Sequence, residues 1–306
     1  MKKLTVSTRK VRISFFYLLS NLLLVLAFSV LCSCSNADLL DGDLSDNAQI
    51  SAVSEPNMDE LFLSELHKLE SRGNFGNPDF DSEGQMFYVQ YDDTSKSYIS
   101  QNVTFSEAVE AVQICRWVDV NGSGTSLSAA IESTKLRAQT LNRNMLLVYI
   151  AQGLDYWAAD DERFKQQYDK LISEVTKSGT KIYATSHSWS GHIVARLLRD
   201  NPLVTHFAIN PAHGNLKEGE KIDDYVYDLK ITKSPTYILA GTSDLVARYG
   251  GGIAWKGLIG IVGYNSVYYG INDNDKVSLI KVKNSGHLIE DMIKHGGFDE
   301  IKTIIR

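Results

Sequence analysis

Three residues able to form a nucleophilic relay occur in one order along the chain: Ser188, Asp244 and His287. A serine hydroxyl is a weak nucleophile. It needs an imidazole to take its proton and a carboxylate to orient that imidazole, and the oxyanion it creates needs fixed N–H donors. Ser188 is the middle of Ser186-His187-Ser188-Trp189-Ser190 within the stretch 181–198. Lys181 to Thr185 reads as a short apolar strand, and Ile193, Val194, Leu197 and Leu198 share one face of a helix. Strand, tight polar turn and helix is the setting of a nucleophile elbow, whose signature is G-x-S-x-G. Here serine fills both outer positions, as the next smallest polar residue. Centring the motif on Ser190 brings His192 close to a position that needs a small side chain. Centring it on Ser186 leaves Ser188 deep in the turn. The alternative is a hydroxyl-rich helix N-terminus, where serine is a favoured cap.

The partners must come from later strand ends. Thr236 to Ala240 reads as a strand ending in Gly241-Thr242-Ser243-Asp244, and Val277 to Val282 as one ending in Lys283-Asn284-Ser285-Gly286-His287. Open α/β sheets place their sites past the carboxyl ends of strands. Asp244 as a turn-former and His287 as a loop histidine are the plainer readings. Of the other histidines, His295 suits a helix C-terminus. His187 and His192 flank the elbow too closely to reach the hydroxyl, and His206 sits inside an apolar strand. His213 follows Asn210-Pro211 and is placed to line the site. For the oxyanion, Trp189 supplies the N–H after the nucleophile. Gly153 or Leu154, after the apolar strand Asn144 to Ala151, supplies the second, with Gly153 as a plain turn residue the alternative. No His, Cys and carboxylate cluster has metal-ligand spacing and no phosphate loop is present, so no metal, nucleotide or other cofactor is expected.

Stepping along the chain, Met58 to Leu69 has helical spacing, Ser71 to Glu83 reads as loop, and Met86 to Tyr91 as a strand. Thr104 and Glu107 form a capping box for a helix over Ser106 to Trp117. Asn121-Gly122-Ser123-Gly124 is a turn, followed by a helix over Ser126 to Leu141. Asp155 to Lys177 is a long helix with Trp157, Phe164, Tyr168, Leu171 and Val175 on one face, and Val204 to Ile209 is a strand. Strands alternating with helices predict an α/β fold with a mostly parallel central sheet and helices on both faces. The 306 residues, 43% hydrophobic and 22% charged, can bury a sizeable core. Arg248 to Tyr269 is glycine-rich and aromatic. It reads either as a cap over an acyl-binding cleft or as a packed connection between the last strands.

Residues 1–33 are expected to lie outside the fold. Lys2, Lys3, Arg9, Lys10 and Arg12 precede a mostly apolar run from Ile13 to Leu31, the pattern of a secretory signal, or of an uncleaved membrane anchor. Leu31-Cys32-Ser33-Cys34 resembles the lipobox of bacterial lipoproteins. That resemblance implies a signal peptide over 1–33, acylation of Cys34, and a lipid-anchored, exported protein. By the same analogy Ser35 implies outer-membrane sorting where the organism has two membranes. Residues 34–58 are polar and acidic and read as a flexible tether, leaving 59–306 as one domain: an N-terminal part over 59–143 and a catalytic core over 144–306. Only Cys115 is then left as a free thiol in an apolar run, more a small hydrophobe than a nucleophile. The formal net charge is −6 and no basic patch lies beyond the N-terminus, which argues against nucleic acid as a partner.

From Asn144 to Gly214, with a weaker continuation to His287, the chain resembles the class 3, fungal-type lipases of the α/β-hydrolase superfamily. Tyr149-Ile150-Ala151-Gln152-Gly153-Leu154 is similar to that family's strand and oxyanion loop. Thr185-Ser186-His187-Ser188-Trp189-Ser190-Gly191 is similar to its Thr-Gly-His-Ser-Leu-Gly-Gly, and Asn210-Pro211-Ala212-His213-Gly214-Asn215 to its Ser-Pro-Arg-Val-Gly-Asn. Thr242-Ser243-Asp244-Leu245-Val246 is similar to the segment holding the family's triad acid. The resemblance implies an α/β-hydrolase fold and cofactor-free hydrolysis of acyl or lipid esters, with Ser188 as nucleophile, Asp244 as acid and His287 as base. The chain departs from the family at both elbow glycines and at Gln152 and Leu154. Those departures keep open a protein of the same fold that binds rather than cleaves.

Overall fold

The computed structural model describes residues 78–122, 125–151, 162–211, 228–244 and 274–306. The chain divides into Met1–Glu55 and Pro56–Arg306, and everything described lies in the second unit. The segments carrying Cys34, Gln152, Gly153, Leu154, His213 and 248–269 lie outside the described residues. Among the described residues no helix is long and apolar enough to cross a membrane.

Fourteen regular elements of the described residues bear on the site. In chain order they are β1 (Met86–Asp92), β2 (Ser97–Val103), α1 (Phe105–Cys115), β3 (Trp117–Val120), α2 (Leu127–Leu141), β4 (Met145–Val148) and α3 (Glu162–Thr176). They continue as β5 (Ile182–His187), α4 (Ser190–Leu198), β6 (Val204–Ile209), β7 (Thr236–Gly241), β8 (Val277–Val282), α5 (Ile289–Lys294) and α6 (Gly297–Ile304). The strands form one sheet in the order β2-β1-β4-β3-β5-β6-β7-β8. β1 runs antiparallel to both β2 and β4, and the pairs from β4 to β8 are parallel.

Local sequence sets the element ends. Thr104 accepts from the Glu107 N–H while the Glu107 carboxylate accepts from the Thr104 N–H at 2.7 Å, the expected capping box. Arg116 then turns left-handed, with φ of 60°, so α1 stops and Trp117 begins a strand. The expected helix over Ser106 to Trp117 therefore ends at Cys115. Trp117 instead opens β3, whose four residues, Trp117 to Val120, are all buried. Ser126 caps α2, and Asn142, with φ of 51°, ends it. Cys115, the last residue of α1, is half-buried, and burial pushes its thiol up to about 11.

Helices cover both faces of the sheet. On one side α1, α3 and α4 bury Ala108, Val112, Phe164, Leu171, Ile193 and Val194 against Val118, Leu146 and Ala184. On the other, α2, α5 and α6 bury Ala138, Leu141, Met292, Phe298 and Ile301 against Trp117, Phe207 and Leu239. Strands enclosed in this way are mostly apolar, and β3 and β4 are buried throughout.

One charge interrupts β3. Asp119 is fully buried and accepts from Arg137 Nε at 3.1 Å and Nη2 at 2.6 Å, from Thr134 Oγ1 at 2.6 Å, and from Thr185 Oγ1. Thr185 in turn accepts from Trp117 Nε1 at 3.2 Å. A carboxylate with that many donors is tolerable in a low-dielectric core. The network fixes β3 and β5 to α2 directly beneath the elbow. The chain passes from β3 to β4 in one direction across the sheet and then to β5 on the other side of β3. The carboxyl ends of β3 and β5 are thus a topological switch point, the place where open sheets of this kind bind ligands.

Candidate active site

The strand β5 ends at His187, and Ser188 follows with φ of 56°. Left-handed backbone at a residue with a Cβ costs about 1–3 kcal/mol and persists only where its surroundings enforce it. Here they do. The Ser188 N–H donates to the Ile209 carbonyl at 3.0 Å, and the Ser188 carbonyl accepts from the Gly191 N–H at 3.0 Å. The flanking serines have their own partners. Ser186 Oγ lies 2.7 Å from His206 Nε2, with both residues buried. Ser190 Oγ donates to the His187 carbonyl at 2.9 Å and accepts from the His187 N–H at 3.2 Å. Serine thus fits at both outer positions of the motif because each hydroxyl is turned to a polar group. Glycine is retained only at Gly191, where a Cβ would meet the Pro211 ring at 2.8 Å.

The structure brings Ser188, Asp244 and His287 together from the ends of β5, β7 and β8. His287 Nε2 is 2.9 Å from Ser188 Oγ, and His287 Nδ1 is 2.8 Å from Asp244 Oδ2. A carboxylate only accepts, so Nδ1 carries the proton and the Nε2 lone pair faces the serine hydroxyl. Asp244 and His287 are both buried, at 2% and 4% exposure, so their pairing is shielded from water. The two loops that carry them are tied to each other. The Thr242 N–H donates to the Val282 carbonyl, the Ser243 N–H to the Ser285 carbonyl at 3.0 Å, and the Asn284 N–H to Thr242 Oγ1 at 2.9 Å. Gly241 is required there, since a Cβ would press on the Ser285 carbonyl and lie 2.9 Å from that of Gly286.

Trp189 follows Ser188 at the N-cap of α4, where helix N–H groups converge and the helix dipole favours negative charge. Gly153 and Leu154 lie outside the described residues, and the strand they follow, β4, is separated from β5 by β3. The loop that the structure does place beside Ser188 is the one after β3. A Cβ on Gly122 would be 3.0 Å from His187 Nδ1 and 3.3 Å from the Ser188 Cβ. Asn121, buried beside it, donates to the carbonyls of Gly122 and Ile150 and accepts from the Ile150 N–H. The sequence reads Asn121–Gly124 as a turn; of β3 only Trp117 falls within the expected helix, and the short Val118–Val120 run with its central Asp119 carries no clear strand pattern. The Asn-Gly pair after a buried strand was the available signal.

The other histidines of the described residues each have a place in the fold, while His213 lies outside them. His295 caps the C-terminus of α5. His192 is buried and meets the Trp189 ring edge-on at 5.6 Å. His206 is fully buried, which lowers its imidazole to about 3, and its Nδ1 has no partner among the described residues. His187, which the sequence places too close to the elbow to reach the Ser188 hydroxyl, turns its ring to another partner. Its Nε2 is 2.9 Å from the His287 carbonyl, and the two rings are 5.0 Å apart. Enclosure of its ring, and then the neighbouring His287, hold its imidazole well below the ordinary range.

No family model matches the sequence, and no curated protein matches it. Similar solved structures include Est1E from Butyrivibrio proteoclasticus, at 13% identity and a TM-score of 0.41, covering 71% of this chain and 97% of that one. A monoacylglycerol lipase from Paleococcus ferrophilus is 13% identical with a TM-score of 0.41, covering 61% and 93%. The serine hydrolase CCSP0084 from the polyaromatic hydrocarbon-degrading Cycloclasticus zankles is 10% identical with a TM-score of 0.43, covering 71% and 97%. The likeness is distant. The eight-stranded, mostly parallel sheet covered by helices, with a left-handed serine at the turn after β5 and an aspartate and a histidine after later strands, has the α/β-hydrolase fold.

Proposed function

We propose that the chain is a serine hydrolase that cleaves carboxylic esters, acyl or lipid esters among them, through an acyl-enzyme. The observation that carries this is the unbroken relay from Asp244 through His287 to Ser188. Ser188 Oγ attacks the ester carbonyl carbon while its proton passes to His287 Nε2. The tetrahedral oxyanion is met by the Trp189 N–H and by an N–H of the loop holding Gly122. The carbon–oxygen bond to the alcohol then breaks, and Nε2 returns the proton to the leaving oxygen. Water attacks the acyl group with His287 Nε2 taking its proton, that proton passes to Ser188 Oγ as the bond from Oγ to the acyl carbon breaks, and the carboxylic acid departs. Asp244 stays ionised and stabilises the imidazolium.

The left-handed backbone at Ser188 supports cleavage over mere binding, since such strain is kept where it serves a function. The resemblance of the elbow and of Thr242–Val246 to the fungal-type lipases supports acyl esters as the substrate class. The lipobox-like Cys34 supports attachment to a bacterial membrane, facing an exported compartment. The test is hydrolysis of p-nitrophenyl esters of graded acyl length. Wild type should turn them over with a preferred length, and Ser188→Ala should lose at least about 1,000-fold in kcat. Equal rates for the two proteins would remove Ser188 from the chemistry.

A further inference from the structure

The base of a relay must point two ring nitrogens at two partners at once. In this chain His287 sits in a loop past the end of β8, where no strand ladder fixes its peptide. We propose that His187 and Asn210 are positioning residues for His287: they grip its backbone carbonyl from two sides and so aim its ring at both Asp244 and Ser188. This rests on the hydrolase reading above.

The His287 carbonyl accepts from His187 Nε2 at 2.9 Å and from Asn210 Nδ2 at 3.1 Å. A carbonyl oxygen has two lone pairs, and each donor takes one. Because the carbonyl cannot donate, His187 Nε2 carries its proton and Nδ1 is bare. The amide of Asn210 is oriented by its partners as well. Nδ2 also donates to the Gly286 carbonyl at 2.8 Å, while Oδ1 accepts from the Gly241 N–H at 2.8 Å. One fully buried side chain at the end of β6 therefore binds the loop of the acid and the loop of the base. Asn210 reaches this position with φ of 43°, a left-handed conformation that asparagine tolerates better than most residues. His187 is held in turn by its reciprocal bonds to Ser190.

The consequence is geometric. His187 is the residue before the nucleophile, so the end of β5 places Ser188 Oγ and, through the His187 ring, the carbonyl of its base. A shift in one is followed by the other, and the 2.9 Å contact between Ser188 and His287 is kept. A side chain that only stabilised the loop would cost stability when removed but leave catalysis per folded molecule intact. A positioning residue lowers kcat with little change in KM, because misplacement by about 1 Å costs on the order of 100-fold.

The experiment compares full-length wild type, His187→Leu, His187→Gln and Asn210→Asp. Glutamine restores an N–H near the place of Nε2, whereas leucine does not. Asn210→Asp keeps the shape and the acceptor for Gly241 but turns an acceptor toward two carbonyls. We expect His187→Leu to lose about 10- to 100-fold in kcat with KM within about twofold, His187→Gln to recover most of it, and Asn210→Asp to lose at least as much as leucine. The far-downfield proton resonance of His287 Nδ1–H against Asp244, read without substrate, should broaden or move upfield in His187→Leu and return in His187→Gln. If leucine does not fold, His187→Asn, too short to reach the carbonyl, gives the same comparison. Wild-type kcat with an unchanged downfield proton in folded variants overturns the proposal. Should Ser188→Ala instead prove as active as wild type, the hydrolase reading fails, and the proton resonance alone still decides whether the grip exists.

Discussion

At the scale of single residues, the site is a set of hydroxyls and imidazoles sorted by what each one faces. Ser186, Ser188 and Ser190 are alike in the sequence, yet the first meets His206, the second His287 and the third the peptide of His187. Their order around a tight turn was legible, because a central serine between a strand and a helix is a recognisable pattern. Their partners were not, because each comes from a strand that is distant in the chain. His206 has a measurable consequence. Buried and neutral, it sits at about 3 in the fold against 6.5 when exposed. Above about pH 6.5 both states are neutral and stability is unaffected by this group. Below that, the unfolded chain takes up a proton that the folded chain refuses, so stability falls with pH by about 1.4 kcal/mol per unit until about pH 3. His206→Gln keeps an amide for Ser186 and removes this slope. Between about pH 7.5 and pH 5, denaturant unfolding should show wild type losing about 2 kcal/mol more than the variant. Parallel losses would mean that His206 is protonated in the folded protein.

At the scale of elements, β3 shows why part of the fold was hidden. Val204–Ile209 and Val277–Val282 were read with their observed bounds, since strands enclosed in a parallel sheet are short apolar runs between turn residues. β3 is four residues long, follows α1 after a single left-handed residue, and carries Asp119 in its middle. A charge in a strand looks like a surface position until its partner is known, and Arg137 is 18 residues away on α2. β2 was missed for the opposite reason: as an edge strand it is mostly exposed and polar. The expected second oxyanion donor, Gly153 or Leu154, lies outside the described residues, so β3 adds the loop at Gly122 as a neighbour of Ser188 without deciding between them. The buried pair can be tested. Arg137→Met strands the Asp119 carboxylate in the core and should destabilise by about 3–5 kcal/mol in urea unfolding, and Asp119→Asn added to it should recover part of that. A loss below about 1 kcal/mol would show that the carboxylate finds water or another cation.

At the scale of the whole molecule, the chain delivers its chemistry to one edge of one sheet. β5, β7 and β8 lead into Ser188, Asp244 and His287, β3 supplies the loop beside them, and β6, lying between β5 and β7, supplies Asn210 to join the ends of β7 and β8. The alternation of strands and helices was enough to predict a mostly parallel sheet and the order of the relay. It could not give the reversal between β3, β4 and β5, because strand order is set by which faces pack together, not by local pattern. The proposed anchor concerns the protein in its cell: Cys34→Ala should abolish incorporation of labelled fatty acid and shift the protein out of the membrane fraction. Retention of both would leave the N-terminus with another role.

The central claim is that Ser188 is an activated nucleophile. Treating the protein with a fluorophosphonate and weighing it intact tests that claim without knowledge of the substrate. One adduct per chain, mapped to Ser188, lost in Ser188→Ala and slowed in His287→Ala, is the expected result. A wild-type protein that stays unlabelled while folded, or one labelled elsewhere, would contradict it.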